Sequence, residues 1–265
     1  MSFLEALMQG IIQGLTEFLP VSSSGHLSLY QHFTGNNGEG ALLFSAVLHL
    51  GTLVAVFKDI FTGKFKWKAM NPQRRAIIMM VISLAMLIPF YIFKDYFERA
   101  AEDSDIIIEG LCFLYTSVIL FISDRCVKGN KRFGDITTKN AVTVGTFQGI
   151  ALLPGISRSG STISRGLFCG FERETAVQYS FILGIPAILG GCLLQVKDAV
   201  EQKALEFDFV NFAVGFIVSA IVGICAIKSD KFKVFAIYTF ILGIAVIGIG
   251  IFEHSVGMNI VEYFK

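Results

Sequence analysis

Charge is scarce in this chain. Of its 265 residues only 16% are charged, while 54% are hydrophobic. Globular domains carry about 25% charged residues, so an ordinary soluble fold is excluded and the composition is that of a membrane protein. Neither sign of charge prevails: 22 Lys and Arg stand against 21 Asp and Glu. A nucleic-acid partner, which needs a basic face, is not expected. Five cysteines show no CxxC and no paired spacing, and all but Cys126 lie within apolar runs. They are read as small core residues, not as metal ligands or a disulfide framework. A basic n-region is also missing at the N-terminus, and the first apolar run carries Gln13 and Glu17. No cleavable signal peptide is expected.

What the chain has is apolar length. Six runs approach the roughly 20 apolar residues that cross a bilayer: 41–58, 76–93, 106–123, 175–195, 208–227 and 234–252. Two further segments, 3–34 and 138–171, are apolar but broken. In each, a helical run gives way to Pro and a Ser/Gly cluster, then to a shorter run. That pattern predicts a helix that enters the membrane, stops partway, turns and leaves by the same side. Non-helical backbone at membrane depth is tolerated only where protein or water satisfies it, so a site is expected at these turns.

The two broken segments are echoes of one another. A shift of 135 residues lays 10–48 on 145–183 with twelve identities and no gap. They include Gly10/Gly145, Gln13/Gln148, Gly14/Gly149, Ser22/Ser157, Ser24/Ser159, Gly25/Gly160, Ser45/Ser180 and Leu48/Leu183. Chance pairing would give roughly three. Three spans separate the segments, and if both are re-entrant an odd count turns the second copy upside down. The expected fold is therefore an all-α integral membrane protein of two inverted-topology repeats, with six full spans, two re-entrant hairpins and a site at the midplane. Repeat 1 covers 1–135 and repeat 2 covers 136–265. Charge placement sorts accordingly. Loops 58–75, 124–140, 171–174 and 228–233 hold 15 Lys and Arg, against five in 94–105, 196–207 and the C-terminal tail. The positive-inside rule makes the first set cytoplasmic and both termini external.

The chemistry is expected in the stretch from Gln13 to His26 and its echo from Gln148 to Thr162. Gln13 and Glu17 are four apart and share a helix face. A carboxylate at membrane depth marks a site by default, and an oxygen pair suits a divalent cation, Mg²⁺ or Ca²⁺, completed by substrate oxygens and water. Ser22, Ser23, Ser24, Gly25 and His26 follow Pro20 as an N-cap cluster, where backbone N–H groups and the helix dipole favour an anion. A serine there becomes a nucleophile if a base takes its proton, and His26 is the nearest base in sequence. Arg158 occupies the position that Ser23 holds in the first copy. Its planar fork matches phosphate oxygens, and Ser157, Ser159, Ser161 and Thr162 add donors around Gly160. Arg165, two helical turns on, either shares that face or serves as a packing cation. His49 is read as structural, Glu109 as interfacial or paired, and His32 and His254 as unsupported by neighbours. Lys and aromatic residues at 64–68 look like an interface anchor.

These residues resemble the bacterial undecaprenyl-diphosphatase family, the bacitracin-resistance type of integral membrane phosphatase. The likeness spans essentially the whole chain. It is carried by Gln13-xxx-Glu17, by Leu19-Pro-Val-Ser-Ser-Ser-Gly-His26, and by Leu153-Pro-Gly-Ile-Ser-Arg-Ser-Gly160 with Thr162. The resemblance implies hydrolysis of undecaprenyl diphosphate to the monophosphate carrier of peptidoglycan synthesis, with a divalent cation. It implies a bacterial plasma-membrane location and a site open to the outer side. It also implies that Glu17, His26 and Arg158 are essential and that Ser23 is a nucleophile, while Gln13 stands where many members have Glu. The expected site is thus catalytic Glu17, His26, Ser23 and Arg158; substrate-binding Ser22, Ser24, Gly25, Ser157, Ser159, Gly160 and Thr162; and metal-binding Gln13 and Glu17. Ser23, His26 and activated water all remain open as the attacking group. The main alternative is a carrier or flippase of a polyprenyl phosphate lipid, which uses similar broken helices. An intramembrane serine protease fits less well, because it has no use for Arg158. Membrane lipid is a further partner, and a homo-oligomer is left open.

Overall fold

The structure is a computed structural model, and it describes residues 1–35, 41–62, 73–93, 106–126, 128–201, 208–226, 232–257 and 259–263. Among them the chain is helical, with a single isolated bridge between Lys131 and Phe171. The helices are α1 Phe3–Thr16, α2 Ser23–Thr34, α3 Ala41–Phe61, α4 Gln73–Ala85, α5 Leu87–Ile92, α6 Ile107–Asp124, α7 Thr138–Ile150, α8 Arg158–Phe168, α9 Arg173–Glu201, α10 Phe209–Ala226, α11 Phe232–Val256 and α12 Ile260–Tyr263.

Five helical stretches are long and apolar enough to cross a bilayer: Arg74–Ile92, Ile107–Asp124, Arg173–Glu201, Phe209–Ala226 and Phe232–Val256. They match five of the six expected runs. The sixth, in α3, is helical, but its apolar part Leu43–Lys58 is shorter. The run expected at 76–93 is not one unbroken helix, because α4 and α5 meet at Met86. Pro89 causes this: it has no N–H for the Ala85 carbonyl, and its ring crowds that carbonyl. The expected interface anchor at 64–68 and most of the loops at 94–105 and 196–207 lie outside the described residues.

The molecule is apolar outside, and its interior holds many sealed polar groups among apolar clusters. Leu193 and Phe209 keep 72% and 74% of their surface exposed, whereas Gln13, Thr52, Ser83, Thr116, Ser161 and Ser164 are sealed at 0%. Lipid tails are as apolar as leucine, so burying Leu against Leu gives little association energy in a bilayer; close packing and internal hydrogen bonds must supply it. This chain does so with glycine. Gly10 and Gly14 of α1 face Gly215, Val218, Ser219 and Val222 of α10. A Cβ on Gly14 would sit 2.7 Å from Val222 Cβ and 2.8 Å from the Ser219 carbonyl oxygen. Gly145 and Gly149 of α7 lie in the same way against Ser83 of α4 and Phe90 of α5. The hydroxyls close the remaining gaps: Ser219 Oγ donates to the Leu48 carbonyl (3.0 Å), and Ser83 Oγ to the Ala141 carbonyl (2.8 Å).

Both broken segments run back along themselves. Gln31 Nε2 on α2 donates to Gln9 Oε1 on α1 (3.4 Å). Beyond α8, the Phe171 strip pairs with Lys131 ahead of α7 through Lys131 N to Gly170 O (3.0 Å) and Glu172 N to Lys131 O (2.9 Å). The two turns meet. A Cβ on Gly25 would lie 2.7 Å from both Gly155 Cα and Phe113 Cζ, and one on Gly160 would lie 3.3 Å from Pro20 Cβ. No other residue fits at Gly25 without parting the two segments.

Gly14→Ala is expected to destabilise the protein, with overpacking costing about 1–3 kcal/mol. Gly248→Ala, with nothing within 4 Å of its new methyl, should be neutral or slightly stabilising through helix propensity. Thermal unfolding in detergent checks the pair, and equal effects would remove the packing explanation.

Candidate functional site

The site begins with the end of α1. Gln13 and Glu17 stack one turn apart, and Gln13 Nε2 donates to Glu17 Oε2 (3.1 Å). Glu17 caps α1, its own N–H closing on the Gln13 carbonyl at 3.0 Å. Residues 17–21 then form a turn that delivers the chain to Ser22, the N-cap of α2. Ser22 has φ 71°, alone among the described non-glycine residues in having positive φ. That conformation costs on the order of 1–3 kcal/mol, and it swings Ser23 back over Glu17. Ser23 Oγ donates to Glu17 Oε2 at 2.6 Å.

The other half comes from the start of α8. Ser157 is its N-cap, and Ser157 Oγ accepts from Gly160 N (3.0 Å), as Ser22 Oγ accepts from Gly25 N (3.3 Å) in the first turn. Ser157 N donates in turn to Thr116 Oγ1 of α6 (3.0 Å). Arg158 reaches across 141 positions of sequence to pair with Glu17 Oε1. Glu17 is 5% exposed at its side chain and Arg158 21%. Space for the guanidinium comes from Gly184 of α9, where any Cβ would collide with it. Glu17 therefore carries Ser23 and Gln13 on one oxygen and Arg158 on the other. The Ser159 hydroxyl lies 3.5 Å from the Leu19 carbonyl, a second bridge between the turns.

These groups face a cavity of about 260 Å³. Of the residues expected from sequence, Glu17, Ser22, Ser23, Ser24, Ser157, Arg158 and Ser159 line it. Gln13 stands behind Glu17, and its Oε1 is buried without a partner among the described residues. The N–H groups of Gly25 and Gly160 are spent on the caps, so these glycines serve close approach. Thr162 bonds to Ser180 Oγ (2.6 Å) and the Arg158 carbonyl (2.9 Å), outside the lining.

His26 is turned away. Its Nδ1 is 2.6 Å from the Ser22 carbonyl oxygen, and its Nε2 is 2.6 Å from the Tyr238 hydroxyl. The ring stacks on Tyr238 and meets the edge of Phe113. Both ring nitrogens are engaged, and His26 is not among the residues lining the cavity. In this arrangement it fixes the carbonyl of the strained Ser22. The imidazole in the cavity wall belongs to His49. Its Nδ1 donates to the Ser45 carbonyl (2.8 Å), which leaves Nε2 directed toward Glu17 Oε2 at 3.8 Å. From its place in the middle of an apolar span, His49 reads as structural in sequence. The site residues expected from sequence also leave out Gln148 and Gly184. The repeat carried a signal for both: Gln148 is the echo of Gln13, and Gly184 is the echo of His49. Glu109 accepts from Ser28 Oγ (2.8 Å), and His32 pairs with Glu253 (3.0 Å), both apart from this cavity.

The donor set allows a test for a divalent cation. Among the described residues there is no cluster of three His, Cys, Asp or Glu side chains of the kind that cages a metal. The orphaned carboxamide oxygen of Gln13 beside the Glu17 carboxylate nevertheless fits a hard cation that takes its remaining oxygens from phosphate and water.

Comparison with known proteins gives one family. Residues 6–245 match the family described as bacitracin resistance protein BacA. The chain is 38% identical over 255 residues to undecaprenyl-diphosphatase 4 of Bacillus thuringiensis subsp. konkukian, covering 93% of this chain and 97% of the relative. It is 39% identical over 263 residues to an undecaprenyl-diphosphatase of Carboxydothermus hydrogenoformans, with the same coverage. A third, from Halothermothrix orenii, is 36% identical over 258 residues, covering 93% and 98%.

Breaking the Glu17–Arg158 pair leaves one buried charge uncompensated. Arg158→Met is expected to cost stability near the low end of the roughly 3–5 kcal/mol such a loss brings, because Arg158 retains some exposure. Adding Glu17→Gln should restore part of that loss by removing the stranded charge. A double-mutant cycle of melting temperatures in detergent checks this, and strictly additive losses would mean the pair is not coupled.

Proposed function

The chain belongs to the bacitracin resistance protein BacA family, and from that membership we propose that it is an undecaprenyl-diphosphatase. It removes the terminal phosphate of undecaprenyl diphosphate and leaves undecaprenyl phosphate, the activity named in its relatives. This recycles the lipid carrier and gives bacitracin resistance. One observation carries the chemistry: a serine hydroxyl held 2.6 Å from a carboxylate whose other oxygen is paired with an arginine, in the wall of a cavity. A lipid carrier would use Arg158 and the helix starts, but it has no need of an activated hydroxyl.

In the proposed reaction the diphosphate lies between the two turns. Arg158 and those first-turn N–H groups of α2 and α8 that are not spent on the caps bind its oxygens. Ser23 Oγ attacks the terminal phosphorus and gives its proton to Glu17. The Oγ–P bond forms as the bridging P–O bond breaks, and undecaprenyl phosphate leaves. Water then hydrolyses the phosphoserine to inorganic phosphate. Preorganised donors stabilise the charge on the transferring group. His26 contributes by holding the Ser22 carbonyl, and so the aim of Ser23. A divalent cation, Mg²⁺ or Ca²⁺, would be held by Gln13 and Glu17, and when bound it would neutralise charge on the diphosphate.

The protein is a multi-pass membrane protein. Its finer architecture is proposed as two inverted repeats, 1–135 and 136–265, with hairpins 3–34 and 138–171 re-entrant. The exchange of packing partners supports this: α1 lies on α10 while its echo α7 lies on α4, and α3 packs on its own echo α9. The backbone pairing of Lys131 with Phe171, at the two ends of the second hairpin, supports entry and exit on one side. The charge bias supports a reading in which both termini lie outside a bacterial plasma membrane, and the family resemblance one in which the site opens toward the outer face.

Purified protein in detergent, given undecaprenyl diphosphate with Mg²⁺ or Ca²⁺, is expected to release phosphate. Glu17→Ala and Arg158→Ala should lower the rate by at least about a hundredfold, the scale of removing one preorganised group. Absence of release by the wild type under either metal sinks the enzyme reading. Trapping with a slow substrate should leave phosphate on Ser23; label on His26 instead, or on neither, would reassign the nucleophile. For topology, a cysteine placed in loop 58–75 should resist an impermeant reagent in intact cells, and labelling there would invert the proposed orientation.

A further inference from the structure

Gln148 sits in the last turn of α7, in the wall of the cavity beside Ser157, Arg158 and Ser159. It is 2% exposed. Both ends of its carboxamide, Nε2 and Oε1, are buried and lack any hydrogen-bond partner among the described residues. The first copy of the repeat shows why this is unusual. Gln13 spends its amide on Glu17, four residues on. Four residues beyond Gln148 stands Leu152, so the intrahelical partner is gone. Gly149, next in line, is pressed against Phe90 and fixes this face of the helix. A carboxamide offers two N–H donors and an acceptor oxygen. Sealing all of them away from water is unfavourable and needs an explanation, since a leucine would pack there without the loss.

We infer that Gln148 is a substrate-binding residue that recognises the diphosphate head group. Its Nε2 donates to a non-bridging phosphate oxygen lying beside Arg158, and its Oε1 accepts from a water or a protonated phosphate oxygen. The terminal torsion of glutamine is broad and roughly two-fold, so a small rotation turns the recessed amide into the cavity. The ligand class follows from the wall: a cation, several hydroxyls and a neutral donor suit an oxygen-rich anion. A hydrocarbon tail would satisfy none of them and would leave the Gln148 amide unpaired. This rests on the diphosphatase reading for the identity of the anion.

The test uses the full chain in detergent with two readouts. The first is the kinetics of phosphate release from undecaprenyl diphosphate by the wild type, Gln148→Met and Gln148→Glu. Gln148→Met should raise KM by about tenfold, the equivalent of one lost hydrogen bond to a charged group, with kcat within about threefold. Gln148→Glu should raise KM further, through repulsion. The second is the melting temperature with and without inorganic pyrophosphate. Without it, Gln148→Met should melt at or above the wild type, because an unpaired polar group has been removed. Pyrophosphate should raise the melting temperature of the wild type by mass action, and that shift should shrink in Gln148→Met. A KM within twofold of wild type, or an undiminished pyrophosphate shift together with a lower melting temperature, would mean that Gln148 is a packing residue and the inference is wrong. If the wild type binds pyrophosphate but releases no phosphate, the diphosphatase reading fails while the anion-binding role of Gln148 is still decided by the melting shifts.

Discussion

The structure depends on the ion pair between Glu17 and Arg158. It joins two turns 141 positions apart in sequence, in a part of the protein where an unpaired charge is not tolerated. Glu17 arrives at the end of α1 and Arg158 at the start of α8. Neither could be left there alone: Glu17 without Arg158 would be a stranded carboxylate, and Arg158 without Glu17 a stranded cation. The pair therefore couples assembly to chemistry, because the fold that hides the charges is the fold that sets Ser23 on Glu17. Ser22 at φ 71° is held by the same arrangement, with His26 clamping its carbonyl from behind.

Around this pair the helices close on glycines and hydroxyls. The identities that made the repeat visible have a packing reason. Gly10 and Gly14 fit α10, and Gly145 and Gly149 fit α4 and α5. In a bilayer, backbones that approach closely gain dispersion contacts that larger side chains would forfeit by separating them. The same logic places Gly25 on Gly155, so the tips of the two turns touch and the groups that flank them share one cavity. Asymmetry then enters at a few positions. Where the first copy has Ser23, the second has Arg158. Where the first has Glu17, the second has Leu152. Where the first has His49, the second has Gly184, whose missing side chain makes room for Arg158. The two copies of the sequence pattern thus present different side chains to the one cavity.

Much of this was legible in the sequence. Five expected spans agree with the long helices to within a few residues at most ends, because continuous hydrophobicity is a local property. The two interrupted segments and their polar residues were also visible; the direct pairing of Glu17 with Arg158 was not, because the sequence alone assigns Glu17 to a cation and Arg158 to phosphate. The orientations of individual histidines were not legible either. His26 lies beside Ser23 in sequence, yet helix geometry sends its ring to Tyr238 on α11. His49, set among apolar neighbours, faces Glu17 from α3. Gln148 looked like a repeat of Gln13, and nothing local says that its amide is left without a partner.

The sequence by itself determined the solvent, the helices, the breaks and the inventory of reactive groups, since each follows from composition, proline and glycine placement, and charge within short windows. Tertiary structure alone decided which of those groups meet. Contacts between residues tens to hundreds of positions apart depend on how helices cross and rotate about their axes. A helix in an apolar solvent has no hydrophobic face to set that rotation, and here glycine close packing and the buried Glu17–Arg158 pair set it instead.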